Sequence, residues 1–262
     1  MPEESQDVAL RPGANADSQA EIERHIAEGV LAKYDVYSYR HAAGILKNSF
    51  PDELGDLENA LRTFSLTKED IALPGGNESV IPKKISRILR PLKWNEVRIQ
   101  GDLVIRVHEQ SEELKDDGKL QKHTLPKRDD IKIENYIDGH KIDYVKGRVA
   151  FDMEWNSKDQ TFDRDLYAFR MFHECGVISV AAIITRSEKL NPIFETLPKL
   201  KKDGTVDTNT DGTTKYCREK YGASTTWMGK LLYRLNAGRH GGCPVLVIGI
   251  KPNVIEDLET AE

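Results

Sequence analysis

Cysteine is scarce in this chain. Cys175, Cys217 and Cys243 are odd in number, far apart and without a CxxC pair, which leaves no pattern for a disulfide framework and predicts buried, reduced thiols in a cytoplasmic protein. Long apolar runs are missing as well: no stretch approaches the roughly 18–20 apolar residues that span a bilayer, so no membrane partner is expected. The opening run MPEESQDVALRPGANADSQAE lacks a basic segment followed by an apolar one, which argues against a signal peptide. Residues 1–19 are expected to form a polar, disordered tail. Internal repeats and low-complexity tracts are absent too.

What is present is an ordinary globular composition. The 262 residues are 39% hydrophobic and 31% charged, enough for one large domain with a sizeable core. The net charge of −5 counts against a nucleic-acid partner if taken alone, but the charge is unevenly spread. Residues 83–98 carry Lys83, Lys84, Arg87, Arg90, Lys93 and Arg98 against Glu96. Residues 215–240 carry Lys215, Arg218, Lys220, Lys230, Arg234 and Arg239 against Glu219. Local basic patches in an acidic chain suit a polyanion held on one face, although solvated helix surface gives the same pattern.

Periodicity organises the remainder. Ile22, Ile26, Val30 and Leu31 predict a helix over 20–34, Tyr34, Val36 and Tyr39 a short strand, and residues 50–64 a second helix with Pro51 near its start. LPGGNES (73–79) reads as a turn or loop. NEVRIQGDLVIRVHEQ (95–110) reads as a hairpin around Gln100-Gly101, and the polar stretch 111–130 as an exposed connection. A second hairpin is predicted over 140–155, turning near Lys146-Gly147. It is followed by an amphipathic helix with Leu166, Phe169 and Phe172 on one side and Gly176 as its stop. VISVAAIIT (177–185) and CPVLVIGI (243–250) read as strands covered on both faces. Residues 186–223 look irregular, 223–238 helical with Ser224 or Thr225 as cap and Gly238 as stop, and 256–262 form an acidic tail. The order of elements predicts one α/β domain over 20–255, a mixed central β-sheet flanked by helices.

The chemistry concentrates in VAFDMEWNSKD (149–159). Alternate residues of a strand share a face, so Asp152 and Glu154 project together while Met153 and Trp155 turn to the core. Asp143, on the preceding strand, can join them if the chain reverses near Lys146-Gly147. Three converging carboxylates repel one another unless a cation is present, and a hard divalent ion with oxygen ligands answers that need. The plain alternative is an edge strand whose acids face water. Lys158 reads as a phosphate contact or a loop lysine.

The segments IDYVKGRVAFDMEWN, DRDLYAFRMFHECG and VAAIITR, in that order, resemble the core of the BglII-like type II restriction endonucleases, within the wider PD-(D/E)xK nuclease superfamily. EWNSKDQTFDRDL and GGCPVLVIGI are similar to runs in bacterial proteins of that group. The resemblance covers roughly residues 140–186 closely and the N-terminal part loosely. It implies a restriction-endonuclease-like core in which Mg²⁺ is held by Asp143, Asp152 and the Met153 carbonyl. Glu154 then falls where the superfamily usually has lysine, as it does in the BamHI-type enzymes. Activation of the attacking water is left to the metal, to Glu154 as base, or to Lys158 reaching in. Another register pairs Glu154 with Asn156 and leaves Asp152 as support.

The resemblance also implies a homodimer embracing a palindromic duplex, paired in function with a cognate DNA methyltransferase. Asn156, Ser157, Lys158 and Asp159 offer groups suited to major-groove base edges, or else serve as turn residues. Ser224, Thr225 and Lys230 could grip a phosphate at a helix start, and Arg239 could place a basic turn near the backbone. The leading expectation is Mg²⁺-dependent, sequence-specific hydrolysis of double-stranded DNA giving 5′-phosphate ends. A repair or structure-specific nuclease with the same core, and a catalytically dead DNA-binding protein, are the alternatives.

Overall fold

A computed structural model describes residues 11–75 and 80–258. Among them the chain divides into two compact units, one made of the residues up to Val97 and from Ile142 onward, the other of Arg98–Lys141. The strands are β1 (Tyr34–Tyr39), β2 (Asn95–Arg98), β3 (Gly101–Ile105), β4 (Gln110–Leu114), β5 (Leu120–Thr124), β6 (Ile131–Ile137), β7 (Lys141–Lys146), β8 (Val149–Glu154), β9 (Val180–Arg186) and β10 (Val245–Ile250). The helices are α1 (Gln19–His25), α2 (Glu28–Lys33), α3 (Ala42–Ser49), α4 (Pro51–Thr63), α5 (Lys68–Ala72), α6 (Val80–Leu89), α7 (Thr161–Glu174), α8 (Asn191–Thr196) and α9 (Met228–Asn236). No helix among the described residues is long and apolar enough to cross a membrane.

The larger unit is built on a six-stranded mixed sheet in the order β1-β10-β9-β8-β7-β2. Its central strands β8, β9 and β10 run parallel, and β7 and β1 flank them antiparallel. All residues of these three central strands are buried, as continuous apolar runs require. Period-two alternation then sorts β8. Val149, Phe151, Met153 and the adjoining Trp155 enter the core shared with helices α1–α6, while Ala150, Asp152 and Glu154 take the opposite face. On that second side lie the apolar residues of α7 (Phe162, Leu166, Phe169, Phe172) and α9 (Leu231, Leu232, Leu235), all buried, with α7 packed on β8 and on α9. The predicted mixed sheet between helices is the observed architecture.

Local chemistry fixes the elements around β8. Gly147, at φ +54°, makes the two-residue turn with Arg148 that sets the β7–β8 register, Tyr144 opposite Phe151 and Lys146 opposite Val149. Helix α7 stops where Gly176 adopts φ +71°, with its N–H donating to the His173 carbonyl and that of Val177 to Phe172.

Several expectations are corrected. Of the three cysteines, Cys217 and Cys243 are buried as expected, but Cys175 is exposed. The helix over 20–34 is two, broken at Ile26-Ala27, where Glu58 accepts the Ala27 N–H at 2.7 Å. Residues 95–110 are not a hairpin: β2 joins the main sheet, and β3 pairs antiparallel with the distant β6. The presumed connection 111–130 contains the hairpin β4–β5, turned at Gly118 with φ +76°. Its strands are exposed and carry no hydrophobic alternation, so nothing in their pattern marks them. Helix α9 begins at Met228 with Trp227 at its cap position and no side-chain cap bond, so neither Ser224 nor Thr225 caps it. Of the expected tail, residues 1–10 lie outside the described residues, while Gly13 donates its N–H to Asn236 Oδ1 at 2.7 Å and Asp17 to the Ser38 carbonyl at 2.8 Å. The loop at 73–79 and the acidic tail lie outside them at 76–79 and 259–262.

Phe169, fully buried on the sheet side of α7, provides a test of this packing. Phe169→Ala is expected to lower unfolding free energy by about 3–5 kcal/mol in a urea titration; a loss under about 1 kcal/mol would contradict the packing of α7 on the sheet.

Candidate active site

The β7–β8 hairpin brings the predicted acids together. One step beyond the paired register, the Asp143 backbone N–H donates to Asp152 Oδ1 at 2.9 Å, so the strand ladder gives way to a side-chain contact. Asp143 itself is exposed. Asp152 and Glu154 are not edge-strand acids facing water: they are 5% and 8% exposed, on an interior strand. Met153, between them, is buried in the core on the other face.

A fourth acid stands with these three. Asp165, on α7, is 4% exposed. Arg164 approaches it at 3.1 Å and Glu154 at 3.8 Å, so Arg164 pairs with its neighbour Asp165 and also faces the β8 acids. Burial raises the pKa of Asp152 well above the carboxylate range, and the charges of Asp165 and Asp143 add to it. Burial likewise raises Glu154 against the opposing pull of Ser157 and Arg164. Asp165 is pushed up to about 8, by burial first and by Glu154 second.

The donor set suits a hard cation. It consists of carboxylate oxygens, with the buried Glu154 and Asp165 carboxyls hydrogen-bonded to each other, which requires a proton on one of them, and Ser157 also bonded to Glu154. Among the described residues, no three His, Cys, Asp or Glu side chains yet stand in a metal-holding arrangement. Lys158 is exposed, and no ion pair among the described residues ties it to these acids. The cation beside Glu154 comes instead from helix α7, as Arg164.

The segment after β8 is held by a second group of candidates. Lys158 bridges to Thr225, the Thr226 N–H donates to the Ser157 carbonyl at 2.8 Å, and that of Asp159 to the Ser224 carbonyl at 3.0 Å. Residues 157–159 and 224–226 thus form one short paired strip. Arg186, at the end of β9 and 1% exposed, clamps it by donating to the Trp155 carbonyl at 2.8 Å, the Thr226 carbonyl at 2.8 Å and Thr225 Oγ1 at 2.6 Å. Tyr221 and Phe194 lie against its guanidinium, and burial pulls its pKa down to about 10.

The basic patches are largely engaged within the protein. Lys230 lies 3.8 Å from Asp159 and is 7% exposed; Arg234 reaches Asp159 and Asp163, and Arg239 pairs with Asp163. Lys84 pairs with Asp70 and Arg90 lies over Tyr144. Lys230 and Arg239 therefore brace the loop and helix beside the acids. Asn156 Oδ1 is buried without a hydrogen-bond partner among the described residues.

Sequence reasoning missed Asp165 as a site acid and Arg186 as a clamp. Both left a signal. Asp165 shares the helical face of Phe162, Leu166 and Phe169, an acid on an apolar stripe, and Arg186 closes a strand that is otherwise wholly apolar apart from Thr185.

A family model described as restriction endonuclease BglII/BglIII matches residues 34–250, from the first residue of β1 to the last of β10. No curated protein matches the chain.

The acid cluster sets a pH dependence. Asp165 moves from its ordinary 3.8 to about 8 on folding, so between these values the native state binds more protons than the unfolded chain. Its contribution to stability is complete below pH 3.8 and is lost as pH rises through about 8. In a metal chelator, the urea midpoint is expected to fall between about pH 4 and 8, and Asp165→Asn to flatten that fall. A decline of equal slope in the variant would contradict the assignment.

Proposed function

The chain belongs to the restriction endonuclease BglII/BglIII family, and on that footing we propose that it is a type II enzyme hydrolysing double-stranded DNA at a specific sequence with Mg²⁺. Family membership makes it a nuclease acting on duplex DNA, and restriction endonucleases generally use a divalent metal. The observation that carries the finer reading is the convergence of Asp143, Asp152 and Glu154 on one hairpin inside the matched region.

Asp143, Asp152 and the Met153 carbonyl would hold the ion. When bound, a divalent ion polarises a phosphodiester oxygen and makes water a better nucleophile near neutral pH. Glu154, at the position where the superfamily usually has lysine, is a buried carboxylate of raised pKa and takes the proton of the attacking water. Water adds to phosphorus in line as the bond to the 3′ oxygen breaks, leaving a 5′-phosphate and a 3′-hydroxyl that gains its proton from solvent. The strip formed by 157–159 and 224–226, with Asn156 at its root, meets the bases or the backbone. Lys158 and Ser224 are its exposed residues, while Ser157, Thr225, Asp159, Lys230 and Arg239 hold it in place. A homodimer on a palindromic site, protected in its host by a cognate methyltransferase, completes the proposal.

Purified protein incubated with unmethylated phage DNA and Mg²⁺ is expected to give discrete fragments whose sequenced ends share one site and carry 5′-phosphates. Asp143→Ala is expected to lower the cleavage rate by at least roughly 10²-fold while retaining DNA in a gel-shift assay. Fragments with random ends, or cleavage confined to mismatches and junctions, would overturn the type II assignment.

A further inference from the structure

The clamp formed by Arg186 uses only part of its hydrogen-bonding capacity. Nε and Nη2 donate to the Trp155 and Thr226 carbonyls and to Thr225 Oγ1. These two nitrogens share one edge of the planar guanidinium, so Nη1 lies on its far side. Nη1 donates to none of the described residues, although Arg186 is only 1% exposed. A charged donor held inside the fold without a partner calls for an acceptor from outside the chain.

Arg186 lines a cleft of about 270 Å³, and Nη1 is the nitrogen left to face it. The neighbouring walls are aromatic. Phe194 and Tyr221 stack with ring centres 4.4 Å apart, and the guanidinium carbon stands 5.4 Å and 4.8 Å from them. The Tyr221 hydroxyl is already engaged with the Ile71 carbonyl and the Trp155 indole, which leaves its ring for a ligand. Trp227 adds a third ring. At the rim Arg218 and Glu195 pair at 2.8 Å and offset each other's charge, and the exposed Asn191 brings an amide.

These features narrow the ligand. Three aromatic rings do nothing for a bare inorganic anion, and the volume sits just under the roughly 300 Å³ at which small-ligand pockets begin. A nucleobase matches each feature: flat faces that stack on aromatic rings and guanidinium planes, and an edge of oxygen and nitrogen acceptors for Nη1 and Asn191. The cleft also adjoins the polar strip, since Gly222 and Ala223 line it and Ser224 follows directly.

We propose that this cleft is a nucleobase site, which holds the base of one nucleotide against its aromatic walls and Arg186. The base comes either from a free nucleotide or from a nucleotide turned out of the duplex; the second source rests on the proposed action on DNA.

The test is titration of the full chain with each of the four deoxynucleoside 5′-monophosphates, and separately with inorganic phosphate, followed by tryptophan fluorescence. At least one nucleotide is expected to quench saturably, and phosphate to have no effect. Ala223→Leu, at an exposed position, fills the cleft and is expected to weaken that nucleotide at least about tenfold, as loss of one base stack implies. Gly222→Leu, where an added Cβ meets nothing closer than 3.9 Å, is the second filler should the first not fold. To identify the source, 2-aminopurine is placed in turn at each position of the sequenced cleavage site and bound by Asp143→Ala. A fluorescence change at one position that Ala223→Leu removes assigns the base to the duplex, and no change at any position assigns it to a free nucleotide. Absence of saturable quenching, equal quenching by phosphate, or nucleotide affinity untouched by the fillers would overturn the inference; in a preparation that cleaves DNA, the endonuclease reading stays intact. Nucleotide binding in a preparation that cuts no DNA would leave the cleft assigned and overturn the endonuclease reading instead.

Discussion

Carboxylates buried side by side are the constraint on which the rest of this structure turns. Asp152 and Glu154 lie on an interior strand, Asp165 lies on the helix that covers it, and all three are shielded from water. A charge in such a place is tolerated when it is hydrogen-bonded, paired or neutralised. The protein supplies a partial answer through the Asp143 N–H and the Arg164 guanidinium, and the raised pKa values of the three acids show how partial it is. The same burial that destabilises the cluster prepares it for a cation, since electrostatic attraction strengthens where water is excluded.

The surrounding fold holds this arrangement rigid. The tight turn at Gly147 fixes the register that places Asp143 beside Asp152, and a slip by one residue would turn both β8 acids into the apolar core. On the other side of Glu154 the chain leaves the sheet through Trp155, whose indole donates to Tyr221 and whose carbonyl is held by Arg186. Arg186 also holds Thr225 and Thr226. One buried cation thereby couples the end of the acid-bearing strand to the polar strip beside it, and would hold the proposed reacting groups and the proposed DNA-facing groups in fixed relation.

Much of this was legible in the sequence, because β8 obeys a period of two and α7 a period of 3.6. VAFDMEW showed which side chains share a face, and the apolar runs of β9 and β10 showed that they lie inside. What escaped has physical reasons. The β3–β6 pairing is non-local, and the β4–β5 hairpin is exposed, so neither writes a pattern into adjacent residues. The basic stretches looked available for DNA because their counter-charges come from afar in sequence: Asp70 for Lys84, Asp159 for Lys230, Asp163 for Arg239. Asp165 directly follows Arg164 and pairs with it, and that local pairing hides its membership of the apolar face.

The central claim is that the acids retain protons until a divalent cation takes their place, and calorimetry of Mg²⁺ binding in buffers of different ionisation enthalpy tests it most directly. The account predicts net proton release on binding near neutral pH, since the raised carboxyl groups must ionise to accept the ion. Binding without any proton release would contradict it.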